Sequence, residues 1–449
     1  MTIRTHIKES FHLAYPVMLS NLGHVMIGVT DNIMVGHLGA VHLAAAGLAT
    51  VIFNVLMLFG IGVSYAITPL VAEADGERND KSIIETLRHG LVINFVNGLI
   101  LVGVVLIGKN LLYHLDQQID VVELAIPFLS ILTFSLVPML IFQSFKQFAE
   151  GLSNTKPALV IIVLTNLVNI VLNYMFIYGH AGFSAMGLIG SGWATLTSRT
   201  FMALSFAIYI YYLPAFKKYR AGFSIGNYSK KLFNKMLHIG IPAGVQFIFE
   251  VAAFDFSLVM MGWLGATTQA AHQIAINLAT ISYMTTAGLA AAATIRVSYF
   301  LGRKDFKNLR LASYTLLIMA LVMMTACALV FIFGRNFLPG LYVDDSEVLA
   351  IASSLLILAG LFQLSDGTQV VCIAALRGLQ DVKIPSVLIF ISYWVIGLPL
   401  GYWLAFILGY GAIGIWLGLS IGLTLTAIAM FLRFRSMVNK LTQTVEGVR

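Results

Sequence analysis

Charged residues are scarce in this sequence. Only 10% of its 449 residues are Asp, Glu, Lys or Arg, whereas about a quarter is typical of soluble domains. Hydrophobic residues make up 59% of the chain, more than one aqueous core can hide, so we expect lipid to cover much of its surface. The two cysteines, Cys327 and Cys372, both lie in apolar stretches. They provide neither a disulfide framework nor the spacing of a metal site.

Motifs of catalysis and of nucleotide binding are also missing. The sequence contains no HExxH, no GxSxG and no glycine-rich nucleotide loop. These absences argue against a membrane-embedded enzyme and against direct use of ATP, so we predict a protein that is not an enzyme and needs no cofactor. The net charge of +7 does not indicate nucleic acid, because the basic residues follow a membrane pattern described below. We expect no cleavable signal peptide.

Long apolar stretches dominate the chain instead. A helix needs about 20 predominantly apolar residues to cross a bilayer, and the sequence has twelve such stretches. We predict an all-α polytopic membrane protein with transmembrane helices at residues 11–35, 48–73, 90–114, 124–148, 157–179, 187–213, 233–261, 275–300, 310–335, 348–376, 385–409 and 411–436.

Lys and Arg are distributed unevenly across the predicted membrane. With the N-terminus on the cytoplasmic side, that side carries 24 of the 27 basic residues. The opposite side carries Lys109 and Arg335, and Arg199 lies within a span. Basic residues concentrate in cytoplasmic loops, so this distribution predicts that both termini are cytoplasmic. The expected location is the inner (plasma) membrane.

The two halves of the chain resemble each other. FHLAYP at 11–16 corresponds to LHIGIP at 237–242 with an offset of 226, and EGLSNTK at 150–156 corresponds to RGLQDVK at 377–383 with an offset of 227. The first offset also aligns several glycines, including Gly39 with Gly265. A recurring offset of this kind indicates an internal repeat.

The repeat predicts how the helices are grouped. Each half contains six spans, an even number, so both halves enter the membrane from the same side as parallel repeats. We therefore predict two pseudo-symmetric six-helix lobes, residues 1–220 and 221–449, with a cavity between them.

Four acidic residues lie inside predicted spans. They are Asp31 in the first span, Glu250 and Asp255 in the seventh and Asp366 in the tenth. A charge at the bilayer centre costs about 2.5–3.5 kcal/mol on insertion scales, so these residues suggest a function. Burial favours the protonated carboxyl, whereas a bound Na⁺ or organic cation would stabilise the carboxylate.

Structural pairing is the alternative explanation for these acids. Arg199 is the single deep base, and it can neutralise one acid well at most. Pairing therefore accounts poorly for the set, although it stays open for Asp255. Five residues separate Glu250 from Asp255, roughly 140° around a helix, so both cannot face one narrow site.

Amide side chains form a second polar feature. Asn166, Asn169 and Asn173 in the fifth span share one helix face because they are three and four residues apart. Facing Asp31, they would form a cation or proton-relay site, and a strip of hydrogen bonds between helices is the equally plausible alternative. Gln273 is a weaker polar candidate.

Together these features resemble the multidrug and toxic compound extrusion (MATE) family, specifically its NorM-like branch. The segments that carry the resemblance span almost the whole chain: TDNIMVGHLGA, FKQFAEGLSNTKPAL with its echo LRGLQDVKIPS, FEVAAF and AHQIA. The resemblance implies a V-shaped fold of two six-helix lobes and alternating access. It also implies export of amphipathic, mostly cationic drugs in exchange for Na⁺ or H⁺.

The resemblance also assigns residues. In the first lobe it implies a carboxylate site at Asp31 with Asn169, Asn173 and Thr197. In the second it implies a cation site at Glu250 and Asp366, the candidate Na⁺ ligands, with Asp255 as a weaker member. Substrate contacts are implied at Asp31, Gln273, Asp344, Asp345 and Phe362. Some Na⁺-coupled members carry a tyrosine at the position of Phe362, so its absence here favours H⁺.

A secondary multidrug antiporter that acts as a monomer in the lipid bilayer is thus our main hypothesis. A lipid-linked saccharide flippase of related architecture is the rival. That protein would need basic residues in its cavity to meet pyrophosphate, whereas this chain places acids and one arginine there.

Overall fold

Helices make up the regular structure of the chain. The computed structural model describes residues 2–114, 117–224 and 226–446, with side chains up to residue 441, and within these residues every regular element is helical. The confirmed all-α class follows from the membrane, where each backbone polar group must find a partner within its own helix.

The helices divide into two compact units. The N-terminal unit is Leu19–Gly244, and the C-terminal unit is Met1–Met18 with Val245–Arg449. The units differ from the predicted lobes in residues 1–18 and 221–244, because α1 (Ile3–Gly36) and α9 (Lys230–Leu264) each contribute to both units.

The remaining helices each belong to one unit. The N-terminal unit contains α2 (Ala40–Ser64), α3 (Ile67–Gly76), α4 (Asp80–Gly108), α5 (Ile119–Phe134), α6 (Leu136–Gly151), α7 (Lys156–Tyr178) and α8 (Gly187–Tyr212). The C-terminal unit contains α10 (Ala266–Gly302), α11 (Phe306–Gly334), α12 (Ser346–Gly378), α13 (Lys383–Phe390), α14 (Leu398–Tyr402) and α15 (Gly411–Glu446).

Eleven helical segments of the described chain are long and apolar enough to cross a membrane. The one predicted span missing from these eleven, residues 187–213, corresponds to α8, which has 26 residues but is less apolar because it carries Arg199 and several hydroxyl residues. Some spans are interrupted where one helix was predicted. The segment Ile119–Gly151 breaks at Ser135, for example, and Lys383–Ile407 contains two π-helical stretches.

The internal repeat is confirmed by the backbone. Residues at the predicted offsets adopt matching left-handed conformations: Gly39 and Gly265 (φ 117° and 122°), Arg78 and Lys304 (φ 59° and 54°), and Ser153 and Gln380 (φ 61° and 62°). A hydrogen bond is repeated as well. The Thr68 hydroxyl donates to the carbonyl of Gln147, and the Thr294 hydroxyl donates to that of Ala374.

The glycines that precede α2 and α10 provide a test of this repeat. Gly265→Ala places a Cβ in open space, so it should destabilise the protein only through its backbone conformation, by about 1–3 kcal/mol. Gly39→Ala should cost a similar amount, because this position is equally open and has the same backbone conformation. Thermal denaturation of the purified protein in detergent measures both. Gly262→Ala is the matched control, since its Cβ would make only an ordinary contact with Gln269 at 3.5 Å. Equal melting temperatures for Gly262→Ala and Gly265→Ala would contradict the prediction.

Candidate functional site

Asp31 on α1 is held by two polar side chains of the N-terminal unit. Asn173 Nδ2 on α7 donates to Asp31 Oδ1 at 2.5 Å, and Thr195 Oγ1 on α8 donates to Asp31 Oδ2 at 3.1 Å. Asn173 Nδ2 also lies 3.1 Å from Asn169 Oδ1. Both oxygens of the Asp31 carboxylate therefore accept a hydrogen bond. The structure thus brings together three of the predicted residues, Asp31, Asn169 and Asn173.

Close packing of α7 and α8 brings these side chains together. A Cβ at Gly190 on α8 would lie 2.5 Å from the carbonyl oxygen of Phe176 on α7, so only glycine permits this approach. Gly179, which ends α7 in a left-handed conformation (φ 77°), lets the chain turn toward α8. Small residues that let backbones approach are typical of membrane helix pairs.

Two predicted neighbours of Asp31 lie elsewhere. Thr197 is exposed, whereas Thr195 is buried against Asp31, because two residues correspond to about 200° around a helix. The prediction of Thr197 as a neighbour of Asp31 is therefore wrong. Asn166 donates to the carbonyl oxygens of Gly23 and Ile162 instead of facing the carboxylate, which is the helix-packing alternative.

Arg199, the deep base, forms no ion pair with Asp31 in the described part of the chain. Its Nη1 donates to Ser135 Oγ at 2.7 Å, and the guanidinium lies 4.7 Å from the ring centroid of Phe53. Arg199 and Asp31 interact only at longer range. The carboxylate is thus hydrogen-bonded by neutral groups without being neutralised.

The C-terminal unit holds Glu250 in a similar way. Gln369 Nε2 on α12 donates to Glu250 Oε1 on α9 at 2.7 Å, and the Tyr393 hydroxyl donates to Gln369 Oε1 at 3.1 Å. Gln369 and Tyr393 are fully buried. These two hydrogen bonds fix the orientation of the Gln369 amide, because its oxygen and its nitrogen each have a partner.

Asp366 lies one turn before Gln369 on α12. Its side chain is buried, and its charge interacts with that of Glu250. Two like charges away from water repel each other, so a proton or a cation at this place would stabilise both groups. The described residues contain no group of three His, Cys, Asp or Glu side chains that could hold a metal ion, and Glu250 and Asp366 stay predicted Na⁺ ligands. Asp255 is exposed on another face of α9, as its spacing from Glu250 implies.

A π-helical stretch, Ile391–Gly397, positions Tyr393. Gly397 at the end of this stretch and Gly401 in α14 pack against Gly418 and Gly422 of α15. A Cβ at Gly418 would lie 2.6 Å from the carbonyl oxygen of Gly397. Glycines four residues apart on both segments permit this close crossing.

The remaining predicted substrate contacts lie apart from these two sites. Gln273 is exposed on α10 and contacts Asn277, and Asp344 is exposed before α12. Asp345 caps α12, because its Oδ1 accepts the backbone N–H groups of residues 347 and 348 at 2.9 and 3.2 Å. Phe362 is buried against Trp416, with ring centroids 5.7 Å apart, which indicates a core position.

Sequence reasoning missed Thr195, Gln369 and Tyr393. Gln369 follows Asp366 by three residues, so its place on the same helix face was a usable signal. No such signal was available for Tyr393, because its position depends on the π-helical stretch. Tyr393 thus brings a tyrosine hydroxyl, which Phe362 lacks, from another helix. This hydroxyl contacts Gln369 and not a carboxylate.

A repeated helical membrane protein with carboxylates inside the membrane-spanning helices of both halves is typical of secondary transporters. The model of the MatE family matches residues 16–175 and 242–403, once in each half of the chain. The chain belongs to the MatE family of membrane transporters.

Its relatives agree over nearly their whole length. The probable multidrug resistance protein NorM of Agrobacterium fabrum is 34% identical over 441 residues, which cover 97% of this chain and 95% of that protein. The multidrug resistance protein NorM of Photobacterium profundum is 32% identical over 438 residues, covering 96% of each.

Solved structures show the same fold. A MATE transporter crystallised in a bent conformation has a TM-score of 0.89 at 20% identity, with 98% of both chains covered. The eukaryotic MATE transporter AtDTX14 has a TM-score of 0.87 at 21% identity, with 99% of both chains covered.

The Glu250 network should contribute measurably to stability. Gln369→Leu leaves Glu250 Oε1 and the Tyr393 hydroxyl without their partner, which costs about 1–3 kcal/mol for each buried group. Tyr393→Phe removes one hydrogen bond and leaves the carboxylate contact intact, so its effect should be smaller. Thermal denaturation in detergent measures both variants. A Tyr393→Phe protein less stable than Gln369→Leu would contradict this order.

Proposed function

We propose that this transporter exports amphipathic, mostly cationic compounds in exchange for Na⁺ or H⁺ by alternating access. The observation that carries the proposal is the pair Glu250 and Asp366. The buried Asp366 and the partly buried Glu250 interact electrostatically, and neither takes part in an ion pair of the described residues. An acidic pair of this kind needs a positive ligand, and a coupling ion or a cationic drug supplies it.

Each unit then has its own role. Asp31, with Asn173 and Thr195, attracts cationic substrate or a proton in the N-terminal unit, and Glu250 with Asp366 takes up the coupling ion in the C-terminal unit. The names of the relatives support drug export, because curated relatives over 30% identical are multidrug resistance proteins. The exposed Gln273 and Asp344 are further candidates for contact with substrate.

Exchange requires that ion and drug have opposed preferences. Uptake of Na⁺ or H⁺ removes negative charge and so weakens the hold on a cationic drug, which then leaves. A ligand shifts a conformational equilibrium only by its differential affinity for the two states. The membrane potential contributes about 2.3 kcal/mol per charge per 100 mV, enough to drive uphill export.

The proposed setting is the inner (plasma) membrane, with both termini in the cytoplasm and the protein acting as a monomer. The 24-to-2 distribution of basic residues supports this orientation. Drug would thus move away from the side that carries most Lys and Arg residues.

The carboxylates provide the direct test. Asp31→Asn, Glu250→Gln and Asp366→Asn should each lower ethidium efflux from proteoliposomes at least about tenfold, equivalent to roughly 1.4 kcal/mol. Efflux is measured under an imposed Na⁺ gradient and, separately, under an imposed pH gradient, with equal amounts of protein. Asp255→Asn should have a smaller effect. Glu77→Gln, at an exposed loop position, is the control. Normal efflux by all three carboxylate variants would refute the proposed coupling sites.

A second pair of variants separates the two threonines of α8. Thr195→Val removes a hydrogen bond to Asp31 and should weaken ethidium efflux about threefold to tenfold, the effect of about 0.5–1.5 kcal/mol. Thr197→Val has the same change in chemistry at an exposed position two residues away, and it should leave efflux within twofold. Equal losses in the two variants would show that Thr195 has no special role at Asp31.

A further inference from the structure

The cytoplasmic end of α6 contains a buried ion pair that neither carboxylate site uses. Lys146 is 4% exposed and Glu150 is 3% exposed, and Lys146 Nζ lies 3.8 Å from Glu150 Oε1. Both residues belong to the segment FKQFAEG, which also carried the family resemblance. The N-terminal unit thus contains a second carboxylate besides Asp31, and this one is buried and lies on a different helix.

The geometry of this pair is not that of a stabilising salt bridge. Burial of two charges costs several kcal/mol per ion, and close contact with further hydrogen bonds is needed to offset that cost. Here 3.8 Å is too long for a hydrogen bond, and Glu150 Oε1 is buried without any hydrogen-bond partner. By comparison, Arg433 Nε and Asp381 Oδ2 lie 2.5 Å apart.

Further unpaired polar atoms lie on the neighbouring helical turns. Gln143 lies seven residues before Glu150 on nearly the same face of α6, and its Oε1 is buried without a partner. Asn94 on α4 donates to Ser144 Oγ at 2.8 Å, while Asn94 Oδ1 has no partner. Buried polar groups are rarely left unpaired, and ordered water is their usual partner where protein supplies none.

His24 links this region to Asp31. It lies seven residues before Asp31 on α1, about 10.5 Å along the helix and on nearly the same face. Its ring packs against Phe142 of α6, its Nε2 is buried without a partner, and it interacts electrostatically with Lys146 and Arg199. Arg199 in turn interacts with Asp31. The N-terminal unit therefore contains Asp31 and His24 on one face of α1, and buried polar atoms of Gln143 and Glu150 on α6, the helix that His24 contacts.

We propose that these groups form a hydrated proton path inside the N-terminal unit, with Glu150 as the group that exchanges protons with the cytoplasm. A proton released by the Asp31 carboxyl passes along water hydrogen-bonded to His24, Gln143 and Asn94 and is taken up by the Glu150 carboxylate. The inference rests on the proposed antiport and assigns H⁺ as its coupling ion.

Fixed charge explains why the path would carry protons and not Na⁺. Lys146 on α6 and Arg199 on α8 place two cations in the same unit as the path, and such charges repel a metal ion. A proton moves by exchange between neighbouring oxygen and nitrogen atoms and needs no open pore. The other half of the repeat lacks these residues, because the offset of 227 places Ile373 opposite Lys146 and Arg377 opposite Glu150.

Water in the path is tested without any transport assay. Hydroxyl radicals generated by X-ray radiolysis label side chains that lie next to internal water. Phe142 beside His24 and Phe434 in the C-terminal unit are both at most 1% exposed, so they form a matched pair. We expect Phe142 to be labelled at least fivefold faster in the full-length protein. Equal rates would overturn the proposal.

The role of Glu150 is tested by comparing two transport modes in proteoliposomes. Glu150→Gln should lower ethidium efflux driven by a pH gradient at least tenfold, while ethidium–ethidium exchange, which needs no proton release, stays within twofold. Glu150→Asp should restore part of the driven efflux. A loss of both modes would indicate a structural role and overturn the proposal, as would driven efflux at the wild-type rate.

Failure of the proposed function gives a different result. Wild-type efflux driven by Na⁺ alone would overturn the proton path and leave drug export intact. Absence of any wild-type efflux would contradict the antiporter, and the labelling of Phe142 would then decide whether the path holds water.

Discussion

The structure depends on carboxylates that are hydrogen-bonded by an amide and form no ion pair among the residues that the structure describes. Asp31 accepts from Asn173 and Glu250 accepts from Gln369, at 2.5 and 2.7 Å. In a bilayer an unpaired charge is costly, and a full ion pair would leave nothing to bind. An amide satisfies the carboxylate without neutralising it, so the negative charge stays available to a ligand.

The same interaction arises twice although the residues are not copied by the repeat. The offset of 226 places Ser257 opposite Asp31 and His24 opposite Glu250. What the halves share is the backbone, as the matching conformations of Gly39 and Gly265 show. The repeat therefore supplies the same helix geometry to both units, and each unit places its own acid and amide on it.

This division explains how much could be predicted from the sequence. Span positions, the repeat and the acids were readable because apolar length and offset are properties of the chain alone. Helix periodicity also placed Asn169 and Asn173 on one face. The choice of Thr195 over Thr197 was not readable, since it depends on the rotation of α8 about its axis. The position of the Tyr393 hydroxyl depends on a π-helical stretch that no local sequence pattern indicates.

The amides of Gln369 and Asn173 differ in whether they can rotate without losing hydrogen bonds. In the C-terminal unit Gln369 is fixed, because rotation of its amide would break its bond to Tyr393 as well as its bond to Glu250. That amide therefore presents its N–H group to Glu250 and cannot present its oxygen without losing both hydrogen bonds. In the N-terminal unit Asn173 Oδ1 and Asn169 Nδ2 are buried without partners.

Rotation of the Asn173 amide would present its oxygen to a protonated Asp31, and rotation of the Asn169 amide would present a donor to Asn173. The Asp31 site can thus satisfy the neutral carboxyl as well as the carboxylate. A group that is stable in both protonation states is what proton exchange requires. The two sites therefore differ in which protonation states of the carboxyl group their amides can hydrogen-bond.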